Sequence, residues 1–387
     1  MENKKICILS FSLIAIDRRV LREIKAASDQ FAITVIGYGN WQPPDYVNYI
    51  DLKKNKRNFL FLLRYGFFLI LGLFHRSFYE HAYWIKKEYC SALRLILEGD
   101  FDIIHANDWD SLPVAAKAKK NNSPKILFDA HEYSPEQEAN NLFWRLLIKP
   151  FRIYLLEKYL PQTDKMVTVS DKIGHLYKQK FNKSAPSIYN APEYVDINLT
   201  EPRNSAIHLI HHGQAIPGRF LEQIIQVMRY TDDRFFLNLM LVPSANPNYF
   251  SKLQRIANRI SPNRVIFLEP VPPSEIVQRI NKFDIGIPFL KVPQINIYYA
   301  LPNKFFDFIM ARLAVVIPPL PAMAEIINQY EMGKVSKTQS PKSMALLLNS
   351  LTIKEIRRYK RNSSKAAKTL NAKNEMKKLE RIYLNLN

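Results

Sequence analysis

The stretch YALPNKFFDFIMARLAVVIPPLPAMAE, Tyr299–Glu325, decides the reading of this chain. It predicts a Pro-Asn-Lys loop, a short amphipathic helix, an apolar strand over Ala-Val-Val-Ile, and a second helix that opens acidic. A helix N-terminus next to a lysine-bearing loop is a ready anion site, because unpaired amides and an ammonium converge there. A buried apolar strand behind it implies a parallel sheet with a ligand crevice outside the strand ends.

Outward from that stretch, short apolar runs alternate with helical patterns. KKICILSF, RRVLREIKAAS, FAITVIGYG, DIIHAND, PVAAKAKKN, KILFDAHE and KMVTVSDKIGHLYKQKF come first. After a polar, prolyl interval from Asp196 to Ser205 the cycle restarts with AIHLIHHG, RFLEQIIQVMRY, FFLNLMLV, VIFLEPV, EIVQRINKF and DIGIPFL. Strand and helix in alternation mark an α/β chain with doubly wound parallel sheets. Its 387 residues suit two such domains better than one. The expected division is 1–200, 201–352, and a basic helical segment 353–387 that is either a packed closing helix, with a crossing back to the first domain open to it, or a loosely held tail.

Composition narrows the function. The chain is globular, 47% apolar and 23% charged, and 55 Lys plus Arg against 35 Asp plus Glu give a net charge of +20. That excess suits an anionic partner. Cys7 and Cys90 supply neither a disulfide framework nor a metal pattern, so a reducing cytoplasm and no metal are expected. The start, with Lys4 and Lys5 before an apolar run, lacks a small-residue cleavage site and reads as a buried strand, Ile6 to Leu9. Only ten glycines occur, with no glycine-rich phosphate motif, so a phosphate site must use helix ends and cationic side chains. No nucleic-acid-binding module is recognisable.

Two segments break the rhythm. Lys53 to Lys87 carries Lys53, Lys54, Lys56, Arg57, Arg64, Arg76, Lys86 and Lys87 against Glu80 alone, interleaved with FLFLL and YGFFLILGLF. Its apolar run, Phe59 to Phe74, is too short to span a bilayer; it suits either the interface plane, with Phe67, Phe68, Leu71 and Phe74 toward lipid, or an ordinary core helix pair whose cations are a solvated face. NLFWRLLIKPFRIYLLEKYL, from Asn141, has the same basic-aromatic character.

The polar residues that could carry chemistry sit where predicted strands end. They are Asn107 and Asp108 after DIIHA, Asp129, His131 and Glu132 in KILFDAHE, and Gly213 and Gln214 after HLIHH. Together with Asp17-Arg18-Arg19-Val20, VTVSDKI, IYNAPE, Arg219 and PNKFFDFIMA, they resemble glycosyltransferase family 4 in the same order along nearly the whole chain. The resemblance implies two Rossmann-like domains facing a central cleft (the GT-B fold). It also implies transfer of a sugar from a nucleoside diphosphate sugar to a saccharide or lipid-linked saccharide, with retained configuration and no metal or cofactor.

Residue by residue, the resemblance assigns donor binding to Gly213, Gln214, Arg219, Tyr299, Pro302, Asn303, Lys304 and Asp307. Arg219 and Lys304 would meet the diphosphate, and Asp307 the ribose. His131 would face the sugar near the bond being broken, and His131, Asp307 and Arg219 form the expected catalytic set. Asp17, Arg18, Asn107, Asp108, Asp129, His131 and Glu132 fall on the acceptor side. Three positions depart from the family pattern: Tyr299 replaces the first glutamate, Gln214 the arginine after the glycine, and Arg312 a glycine. The expected setting is bacterial surface polysaccharide synthesis, at the inner face of the plasma membrane with a polyprenyl-diphosphate-linked acceptor. The alternative is a non-catalytic protein of the same fold that binds a lipid-linked saccharide or a partner enzyme.

Overall fold

The computed structural model describes residues 4–386 except 56, 121–122, 139–140, 203–204, 245, 289–290 and 292–293, so Lys56 of the basic run lies outside the described residues. Two compact units emerge, one of residues 1–188 with 376–387 and the other of 189–375. No helix among the described residues is long and apolar enough to cross a membrane.

In the first unit, the strands are β1 (Lys5–Leu13), β2 (Ala32–Tyr38), β3 (Val47–Asp51), β4 (Ile103–Asn107), β5 (Lys125–Ala130) and β6 (Lys165–Thr168). They form one parallel sheet in the order β3-β2-β1-β4-β5-β6. The run Ile6–Leu9 is wholly buried, as a strand covered on both faces must be. Strand order reverses between β1 and β4, which makes their C-terminal ends the place for a ligand. The helix Arg18–Ala27 follows β1 and is capped by Asp17, whose carboxylate accepts from the amides of Arg19 and Val20. The core on one sheet face is completed by Met376, Leu379, Tyr383 and Leu386.

The Lys53–Lys87 segment forms two helices, Phe59–Phe74 and Phe78–Trp84. The first is attached along a narrow seam: Leu69 and Gly72 are buried, and Gly72 lies so close to the Tyr79 ring that a Cβ there would collide with it.

The second unit repeats the plan with β7 (Ile207–Ala215), β8 (Phe235–Pro243), β9 (Val265–Leu268), β10 (Ile285–Gly286), β11 (Ala314–Ile317) and β12 (Gly333–Val335). All are parallel, in the order β12-β11-β10-β7-β8-β9, with the reversal between β7 and β10. Alternation along β11 sends Val315 and Ile317 into one apolar core and Ala314 and Val316 into the core on the opposite face. The helix Asn303–Met310 begins one residue after Pro302, so Asn303 and Lys304 are its first turn rather than a loop.

The boundary expected near residue 200 falls at 188–189 instead. The described residues between 188 and β7 make no regular element, yet their hydrogen bonds belong to the second unit. The Tyr189 amide donates to Glu375, the Pro192 carbonyl accepts from Ala372, and Thr200 donates to the Asn281 carbonyl. The segment 353–387 is two helices, Ile353–Ala367 and Ala372–Leu384, and from Met376 onward it belongs to the first unit.

Candidate functional site

At the reversal point of the first unit, β4 and β5 end in a connected set of polar side chains. The Arg19 guanidinium donates from Nε and Nη2 to the two Asp129 carboxylate oxygens, each at 2.8 Å, and from Nη1 to the Ile188 carbonyl at 2.8 Å. Burial would raise the Asp129 carboxyl, but Arg19, with His105 Nε2 at 3.7 Å, overrides it and holds the group well below the usual carboxylate range. Arg19 also approaches Glu23 at 3.5 Å. Glu23 accepts from Asn107 Nδ2 at 3.0 Å, and Asn107 Oδ1 lies 2.9 Å from His131 Nε2, so His131 donates there. His105 Nδ1 meets the Tyr383 hydroxyl at 2.7 Å.

His131 is thus fixed at both ends, because its Nδ1 faces the Asp108 carboxylate at 3.4 Å and its backbone amide donates to the same side chain. Burial, then the neighbouring charges of Asp110 and Asp129, push the Asp108 carboxyl up to about 8. Glu132 next door is pushed up to about 7 by burial and by Asp108. Two carboxyls protonated near neutrality therefore flank a positioned imidazole, a pattern that gathers at functional sites.

Glu23, His105 and Asp129 bring donor atoms of the metal-ligating kind within 4.8 Å of one another. The cation in that grouping is Arg19, whose fork occupies both oxygens of Asp129 and already supplies the positive charge an ion would bring.

In the second unit the corresponding place is the C-terminal end of β7 facing the Asn303–Met310 helix. Gly213 takes φ +139, and a Cβ there would stand 3.1 Å from Lys304 Nζ, so glycine is what lets the ammonium lie against the strand backbone. His211 Nδ1 bonds the Ile287 carbonyl at 2.8 Å and so carries the proton, which leaves Nε2 to accept from Lys304 Nζ at 3.4 Å. Burial and the nearby charges of Lys304, His212 and Arg219 keep His211 neutral, its pKa well below the ordinary value. Burial, then repulsion from Arg219, lowers Lys304 to about 7. Arg219 itself is exposed, in a turn held by Gly218 and by Phe220 at φ 54, just before the helix Leu221–Val227. Lys304 and Arg219 thus stand close enough for the charge of one to disfavour the charge of the other.

Residues 21–195 match the model of Glycosyltransferase Family 4. That span resembles the family, and it is 175 of the 387 residues. No curated protein matches. Among solved structures, this chain is similar to a glycosyltransferase from Rickettsia africae ESF-5, at 14% identity and TM-score 0.68, with 100% of this chain and 99% of that one covered. It is also similar to Anabaena HepE in complex with UDP-glucose, at 14% identity and TM-score 0.68 over 98% and 99%. A third likeness is to sucrose-phosphate synthase from Thermosynechococcus elongatus, at 12% identity and TM-score 0.67 over 99% of each chain. Identities this low establish the fold, which is GT-B with two Rossmann-like α/β domains.

Each unit by itself holds several of the residues read from the sequence, and their places differ from expectation as follows. Asp17 is a helix cap and Arg18 is half-buried; the neighbour Arg19 is the residue that enters the network. Asp307, expected on the ribose, is buried with its carboxylate 3.4 Å from His212 Nε2. Tyr299 ends the short helix Ile295–Tyr299 half-buried, its ring edge-on to Tyr298. Gln214 is exposed, Pro302 is half-buried before the helix, and Asn303 Oδ1 accepts from Asn190 at 2.6 Å. Arg312 donates to the carbonyls of Met310 at 2.6 Å and Val195 at 2.7 Å and lies over the Tyr194 ring.

Arg19, Glu23, His105, His211 and His212 were missed. A charged i, i+4 pair on the same face as Val20 and Ile24 was the available signal for the first two, since charge on an apolar helix face needs a buried partner.

Proposed function

We propose that this chain transfers a sugar from a nucleoside diphosphate sugar to a saccharide or lipid-linked saccharide, with retention, in bacterial surface polysaccharide synthesis at the inner face of the plasma membrane. The observation that carries the reading is Lys304 Nζ seated against Gly213 beside His211 and within the field of Arg219, at the strand-order reversal of the second unit. A diphosphate bound there meets both cations as the bond from its oxygen to the anomeric carbon breaks and charge grows on the leaving group. Fixed donors aimed at such charge are worth about 3 kcal/mol each in comparable sites. HepE was crystallised with UDP-glucose, which supports a uridine diphosphate donor as the first to try.

On this reading, Arg219 and Lys304 bind the diphosphate, and His131, fixed by Asn107 and Asp108, is the acting group of the first unit. Asp307 serves through His212, which it positions. Retention requires the acceptor hydroxyl to enter on the face from which the diphosphate leaves. The chemistry needs no metal, since Arg219 and Lys304 carry the charge.

Screening nucleoside diphosphate sugars for thermal stabilisation tests the donor: at a hundredfold excess over Kd, binding adds about 2.7 kcal/mol to stability. Arg219→Ala lowers diphosphate affinity about tenfold or more. The anomeric configuration of the product, read by NMR, tests retention. Absence of both transfer and donor hydrolysis in a protein that binds donor would support the non-catalytic alternative.

A further inference from the structure

Half of the large apolar side chains exposed among the described residues lie on two adjoining segments of the first unit. On the helix Phe59–Phe74 they are Phe59, Leu60, Leu62, Leu63, Phe67, Ile70, Leu73 and Phe74; on the neighbouring segment they are Leu142, Phe143 and Leu146. The two segments are packed side by side. An outer helix face in water is ordinarily polar; here Phe67 is 57% exposed and Phe74 84%, and Arg64 is the charged residue of the helix. Such a contiguous apolar face marks an interaction surface. The half-buried Phe68 and Leu71 belong to the inner side, where Phe68 stacks on Phe78, and so are removed from the lipid-facing set expected from sequence.

Charge identifies the occupant. The rim carries exposed Lys53, Lys54, Arg57, Arg64, Lys87 and Arg145. At the N-terminal end of the helix, a cavity of about 260 Å³ is lined by Arg57, Arg64 and Lys87 together with Glu88. Glu88 is buried and lies in the field of Lys86, which offsets it. A second copy of the chain would bring this patch against itself about a two-fold axis, setting arginine against arginine with no carboxylate on the helix to relieve them. An anionic bilayer offers both matching halves, phosphates for the rim and acyl chains for the face.

We propose that the helix Phe59–Phe74 lies in the plane of an anionic bilayer, its exposed face in the acyl boundary and the cavity at its N-terminus holding a lipid phosphate. The inference rests on the first unit's surface alone and stands whether or not sugar transfer is confirmed.

The test is sedimentation of the full chain with vesicles of phosphatidylcholine alone and of phosphatidylglycerol and phosphatidylcholine at about 3:7. Binding to the anionic vesicles is expected to be at least tenfold tighter and to fall at least tenfold in 0.5 M salt. It should be lost in both F67E/F74E and R57E/R64E, each with an unchanged melting temperature and unchanged nucleoside diphosphate affinity. Phe67→Trp should give fluorescence quenched by brominated lipid. Inorganic phosphate at 10 mM should leave vesicle binding within twofold. Equal binding to both vesicles, binding to neither, release by inorganic phosphate alone, or a wild-type dimer that F67E/F74E converts to monomer would each overturn the proposal.

Discussion

Lys304 carries a pH dependence whose direction follows from its surroundings. Burial and Arg219 bring its pKa from 10.5 to about 7, so in the free protein it is largely neutral above that value, while a bound diphosphate favours the charged form. Affinity for a nucleoside diphosphate should therefore fall roughly tenfold per pH unit above 7, with close to one proton taken up per diphosphate bound at pH 8.5. Calorimetry in buffers of different ionisation enthalpy measures that uptake, and Lys304→Arg should abolish it. The same shift affects stability with the opposite trend: between about pH 7 and 10.5 the unfolded chain binds the extra proton, so folding gains stability as pH rises. Lys304→Met should remove that slope.

Arg312 explains itself only in three dimensions. It takes φ +63, where a glycine carries no strain, and its fully buried guanidinium bonds the carbonyls of Met310 and Val195. Arg312→Ala should cost about 2–4 kcal/mol in urea unfolding and leave diphosphate affinity unchanged. Arg312→Gly relieves the left-handed backbone and should cost about 1 kcal/mol less.

The strand ends of the first unit behave as one element, since Arg19, Glu23, His105, Asn107, Asp129 and His131 are linked through shared hydrogen bonds and ion pairs. Asp129→Asn leaves Arg19 buried without its counter-charge and should destabilise the fold by about 3–5 kcal/mol. Because the Asp129 carboxyl is held below its unfolded value, its contribution is present above about pH 4 and disappears as pH falls through the folded value. The stability difference between wild type and variant in equilibrium unfolding should therefore stay constant from pH 7 to about 5 and begin to narrow only below about pH 4.

The elements themselves were legible, because strands such as Ile6–Leu9 and Ala314–Ile317 are apolar runs of strand length bounded by polar residues. The network was not, for it joins positions 19, 105, 129 and 383, which no local pattern relates. The loop at Asn303 and Lys304 was misread because proline before a helix looks like a turn until the helix is seen to start at once. The approach of Asp307 to His212 on β7 was not legible either, because its position on the helix says nothing of that strand.

At the scale of the whole molecule, the chain passes between its two units twice, at 188–189 and again at 375–376. Repetition of the strand-helix pattern revealed two domains. The contribution of 376–387 to the first could not be fixed from a basic helical pattern that fits either unit. Met376, Leu379, Tyr383 and Leu386 are buried in the first unit's core, and Tyr383 braces His105. Removing residues 376–387 should cost that unit several kcal/mol, at about 1.5–3 kcal/mol per large buried side chain. Calorimetry should show the first unit melting earlier, while nucleoside diphosphate binding by the second persists.

That returning segment also sets a timetable for synthesis. The polypeptide for the first unit's sheet is made by residue 188, but the side chains that close its core come roughly 190 residues later, about 10–40 s at ordinary translation speeds. During that interval a finished sheet has an open flank lined by Ile6, Val35 and Ile103, side chains that water leaves poorly covered. The nascent chain therefore depends on whatever shields it at the ribosome, and slowing translation between codons 189 and 375 should raise aggregation more than slowing it after 376.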